Sequence, residues 1–220
     1  MRYDPLVVRT AFLLLLVSLL AGADLVGVEP ELGGRLVDEA LSIGHSRIQA
    51  VRARFHEPYR IQIGSPPIDY IDVVTPFRRV VLLAEERTRA GSRLQPREAF
   101  AQIEGRAMQI ELRVEATFHP LNAFVGVPAY DVLLRTDVAG MPFDPLRIDL
   151  VPRFGARLDG MPAWPSAAGT IASPDQPLLG GTLVATFSTD GLNPTGRYEV
   201  VVSEDGSELT RARIDLGTMR

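Results

Sequence analysis

The chain has 220 residues, 46% hydrophobic and 23% charged, with a formal net charge of −4, apolar enough to bury a core without disulfides. Cysteine is absent and all 23 basic residues are arginine, which excludes thiolate nucleophiles, cysteine-based metal sites, Schiff-base chemistry and the lysine-bearing phosphate loop. Arginines scattered among carboxylates also lack the one-faced basic cluster of a nucleic-acid binder.

The first residues read as an export signal. Arg2 and Arg9 precede an apolar run from Ala11 to Leu20, and Ala21-Gly22-Ala23 has the small-x-small form of a cleavage site, with Ala21 and Ala23 as its small positions. Residues 1–23 are therefore predicted to be removed, which takes away two arginines and Asp4 and moves the net charge from −4 to −5. Leu20-Ala21-Gly22 resembles the start of a lipobox, but Ala23 stands where the acylated cysteine must be. An uncleaved anchor is the alternative, since about 20 apolar residues span a bilayer; Asp24 is costly in such a helix. The expected location is periplasmic or secreted, with no membrane anchor after cleavage.

Residues 24–57 form the predicted helical segment, in which Leu36, Ala40, Leu41, Ile43, Ile48, Val51 and Phe55 recur at helical steps. Over 48–56 the pattern also alternates, so helix and strand both fit there. From Tyr59 the period drops to two, and residues 58–220 are predicted as a β-sandwich. Val80, Leu82 and Ala84 are read as strand, Pro96 to Ile103 as a short helix, and Ile110 to Thr117 as a long strand with Glu111, Arg113 and Glu115 on one face. Residues 155–181 hold four prolines and Trp164, which predicts a crossing between sheets. At 196–217, Asp205-Gly206 between alternating apolar residues predicts a hairpin.

The fold class expected is mainly β: an antiparallel sandwich with one N-terminal amphipathic helix and a short second helix near 96–103. In general pattern the C-terminal strands are similar to bacterial immunoglobulin-like or transthyretin-like sandwiches, and the resemblance implies no particular function.

Few side chains offer chemistry. His56-Glu57 begins like the H-E-x-x-H zinc motif, but Arg60 occupies the position of the second ligand, so no metal or other cofactor is expected. Glu85 and Glu86, read as strand neighbours, face opposite ways. No G-x-S-x-G elbow presents a serine, and no catalytic residue is assigned. The candidate binding residues are His119, Asn122, Tyr130 and Asp131, on a bent connection at one end of the sandwich, together with Arg78, Arg79 and Trp164, types enriched at interface hot spots. The reading is a non-enzymatic binding or assembly module of the bacterial envelope, meeting an envelope protein or glycan. The alternatives are a hydrolase using Ser/His or carboxylates, and a structural subunit assembling through strand edges.

Overall fold

A computed structural model describes residues 27–119, 121–136, 142–155 and 177–220. Strand exceeds helix among them, 40% against 29%, so the chain is mainly β, with two antiparallel sheets and four helices. The expected export signal with Ala21 and Ala23, Trp164 and most of the proline-rich crossing lie outside the described residues.

The strands are β1 (Arg60–Ser65), β2 (Ile68–Val74), β3 (Gln109–Thr117), β4 (Tyr130–Thr136), β5 (Arg147–Phe154), β6 (Leu178–Ser188), β7 (Arg197–Glu204) and β8 (Ser207–Asp215). One sheet has the order β1-β2-β3-β6-β5 and the other β4-β7-β8. Alternation sets the faces: Ile110, Leu112, Val114 and Ala116 of β3 are buried, while Glu111, Arg113 and Glu115 point the other way. One apolar cluster takes Ile71, Leu112 and Leu183 from the larger sheet and Leu134, Val200 and Ile214 from the smaller. Each fully buried side chain of this size stabilises by about 1.5–3 kcal/mol. Between β7 and β8, Asp205 and Gly206 both have positive φ, 48° and 79°, the backbone of a type I′ turn, whose twist matches the flanking strands.

The helical content departs from expectation in two places. The single N-terminal helix is in fact two, α1 (Gly34–Gly44) and α2 (Gln49–His56), because Gly44 closes the first and the chain turns through Ser46, whose hydroxyl caps the Ile48 amide. Residues 49–56 are helix, so their alternation does not make a strand. The second correction is α3 (Pro76–Arg89), where a strand through Val80, Leu82 and Ala84 was expected. Thr75 accepts from the Arg78 amide at 3.2 Å, Pro76 sits in the first turn, and Arg87 and Arg89 complement the negative end of the dipole. Phe77, Val80, Val81 and Ala84 are buried at helical spacing, and this tertiary stripe overrides the β-propensity of the valines. Helix α4 (Pro96–Glu104) lies where a short helix was expected, with the Gln95 amide donating to Glu98.

Helices α1, α3 and α4 build a second apolar cluster from Val37, Leu41, Phe77, Val81 and Ala99. Phe55 packs against both clusters, its ring 5.2 Å from Tyr59 and 5.9 Å from Phe77. The chain closes on the same junction: Met219 is buried, the Arg220 amide donates to the Tyr59 hydroxyl at 2.9 Å, and the Arg220 carbonyl accepts from Tyr59 and Thr75.

Candidate functional site

Among the described residues, two regions that gather the candidate side chains lie at opposite ends of the strands. The first is a cleft of about 530 Å³ between the helices and the outer face of the larger sheet. Strand register places Arg60 opposite Asp72 and Asp72 opposite Arg113, so one cross-strand row forms the floor. His56 from α2 and Leu82 and Glu85 from α3 form the walls.

The polar groups of this cleft hold one another. Arg60 binds both carboxylate oxygens of Asp72 at 3.1 Å and lies over the Tyr70 ring. Arg78, 2% exposed, spends its donors on the Val73 carbonyl at 2.6 Å, Asp72 at 3.2 Å and His56 Nδ1 at 3.3 Å. His56 Nε2 meets Glu85 at 2.8 Å. Both ring nitrogens of His56 are engaged, so the imidazole has no free lone pair with which to act as a base.

Beside the cleft, Glu111 receives Arg79 at 3.1 Å, Arg113 at 3.0 Å and Arg106 at 3.5 Å. Burial alone would raise its pKa; the three guanidiniums outweigh that and hold it below the ordinary value. Arg79 also donates to the Arg106 carbonyl. Arg78 and Arg79, expected as surface contacts, are both buried: they anchor α3 to the sheet, because a buried charge must be paired.

The second region is the connection from β3 to β4. Thr117 pairs with Gly180 at the start of β6, and Tyr130 with Glu204 at the end of β7, so this connection sits at the end of the strands remote from α3. His119 Nδ1 accepts from the Leu121 amide at 3.2 Å. Asn122 donates to the carbonyls of His119 and Leu178 at 2.7 and 2.9 Å and accepts from the Phe124 amide at 2.9 Å. Phe124 stacks edge-on against buried Phe118 at 5.1 Å. Leu121, Phe124 and Val125 are left 80%, 45% and 94% exposed.

The structure thus brings His119 and Asn122 together as the scaffold of a turn. Tyr130 is buried in the core, and Asp131 is exposed on β4. The apolar residues carried by the loop and the His56–Glu85 pair carry no sequence motif. Loop letters resemble core letters, and His56 and Glu85 stand 29 positions apart.

No family model, curated protein or solved structure matches the chain. Among the described residues no helix is long and apolar enough to cross a membrane, and no group of three or more His, Asp or Glu is placed to hold a metal ion.

Proposed function

We propose that the chain is an exported, non-enzymatic binding module of the bacterial envelope, periplasmic or secreted, built as an antiparallel β-sandwich that contacts a partner protein through its β3–β4 loop. The observation that carries the reading is the pinned loop that leaves Leu121, Phe124 and Val125 in water. Exposed apolar side chains on a pre-ordered backbone lose little entropy on binding, and clusters of them mark contact sites. The shared cluster under both sheets supports the sandwich. The engaged nitrogens of His56 and the turn role of His119 favour binding over hydrolysis. Pro152 within β5, which lacks an amide donor, weighs against assembly through that edge.

The test compares an envelope extract passed over the wild type and over the double variant Leu121→Asp, Val125→Asp, with circular dichroism to show that both are folded. A protein retained by the wild type and lost by the variant is the expected result. Equal retention by both, or turnover of an ester or glycoside by the purified wild type, overturns the reading.

A further inference from the structure

The cleft at the opposite end is surrounded by more arginines than carboxylates. Asp72 is shared by Arg60 and Arg78. Glu85 is met by His56 and approached by Arg52 at 3.9 Å. Glu111, next to the floor, has three arginines around it. Around these three carboxylates stand six arginines, in a chain whose overall charge is −4. In the lining itself Arg60, Arg78 and Arg113 balance Glu57, Asp72 and Glu85; the surplus comes from Arg52, Arg79 and Arg106 around it.

Two of these arginines are only partly committed. Arg60 uses Nε and Nη2 on Asp72, and Arg113 uses Nη2 on Glu111. Their Nη1 groups have no hydrogen-bond partner among the described residues, and their side chains are 46% and 40% exposed. Arg60 and Arg113 flank Asp72 in one cross-strand row, which sets their backbones about 10 Å apart, two strand spacings. Flexible arginine stems can close from that distance on a group lying over Asp72. Arg78 behind them is locked by its three bonds, so the floor is rigid before anything binds. Leu82 supplies an apolar wall, and the volume suits a small molecule rather than a macromolecule.

We propose that this cleft binds a small oxyanion, a carboxylate or phosphate group, through Arg60 and Arg113. A guanidinium presents paired donors that match either group, and such charge-assisted bonds are among the strongest in water. This site is independent of the β3–β4 loop.

The experiment is an ¹⁵N-resolved NMR titration of the folded chain with inorganic phosphate and, separately, with glutarate, each at an ionic strength held constant with sodium chloride. The expected result is saturable shifts at residues 53–60, 72, 82–85 and 113 with at least one of the two probes. Tighter uptake of phosphate assigns a phosphoryl group, and tighter uptake of glutarate a carboxylate; either supports the site. In the double variant Arg60→Gln, Arg113→Gln, affinity falls by roughly tenfold or more. Shifts that chloride reproduces, or saturable shifts that map elsewhere, overturn the proposal from the wild type alone. Unchanged affinity in a folded double variant does the same.

Discussion

The Nε of Arg78 lies 3.3 Å from Nδ1 of His56, and because a guanidinium only donates, the imidazole must accept there. The proton of the neutral ring then sits on Nε2, where it donates to Glu85 at 2.8 Å. Two-bond nitrogen–proton correlations recorded at pH 7.5 should show His56 as the Nε2–H tautomer. Replacing His56 with Ala leaves the Arg78 Nε–H, in a residue 2% exposed, without its acceptor. The expected loss is about 1–3 kcal/mol of unfolding free energy, read by urea denaturation. The Nδ1–H tautomer, or a variant as stable as the wild type, contradicts the arrangement.

Glu111 carries a second prediction, with a definite pH direction. Its side chain is 4% exposed and that of Arg79 6%, so removing the negative charge strands a buried cation. Glu111→Gln should cost about 3–5 kcal/mol. Because its folded pKa lies below the ordinary 4.5, the ionised carboxylate stabilises the fold above that value. The stabilisation is lost as pH falls below 4.5 toward the lowered folded pKa. Wild-type stability should therefore decline over this acid range, and the decline should be shallower in Glu111→Gln. Identical acid limbs in the two proteins would remove Glu111 from the account.

What could be read from the residues follows the reach of the signals. Strand β3 and the Asp205-Gly206 hairpin are written in patterns a few residues long, and both form. Helix α4 was also legible, from Pro96 at its start. Helix α3 carried equally local cues, Thr75-Pro76 at the start and buried positions 77, 80, 81 and 84. The alternation of Val80, Leu82 and Ala84, continuing the strand just before, pointed to strand instead. The bent β3–β4 connection was legible as a candidate surface, though not which of its residues face water. That depends on Asn122 reaching the Leu178 carbonyl, a contact no local pattern encodes. The cleft was invisible, because its floor is a product of register across β1, β2 and β3 and one of its walls comes from a helix read as a strand.

Asn122 makes the loop a fixed platform. Its side chain closes three hydrogen bonds, two of them to the loop and one to the first residue of β6. Asn122→Ala should cost about 1–3 kcal/mol, and the larger effect should be local: amide exchange at Leu121 and Phe124 should speed up while that of β3 does not change. Unaltered exchange at Leu121 and Phe124 would mean that the loop is held by the Phe118–Phe124 stack instead.

Gly44 lets α1 pack closely against α3. A Cβ there would stand 2.5 Å from the Ala84 Cβ and 2.6 Å from the Val81 carbonyl oxygen, and a backbone oxygen inside a helix cannot swing aside. Alanine gains up to about 1 kcal/mol over glycine in a helix interior, less at the last residue of α1, whereas forced separation of packed helices costs about 1–3 kcal/mol. Gly44→Ala should therefore destabilise, with a lowered denaturation midpoint and an unchanged denaturant slope. A stabilised variant would show that α1 slides freely on α3.

Tyr130 gives a prediction at alkaline pH. Burial, and then the Glu204 carboxylate opposite it on β7, push its phenol up to about 12, whereas in the unfolded chain the same group ionises near 10. The neutral phenol therefore stabilises the fold fully below pH 10, and that stabilisation is lost as pH rises from 10 to 12. Burial also raises Tyr59 and Tyr70, so the effect of Tyr130 must be taken as a difference. Tyr130→Phe keeps the ring in the core and removes only the ionising group. Denaturation of both proteins at pH 9 and pH 11 should show the wild type losing more stability across the interval than the variant, and an absorbance titration of the variant should lack one late-ionising phenol. If wild type and variant lose the same amount, Tyr130 ionises like a tyrosine in water and is not enclosed between the two sheets.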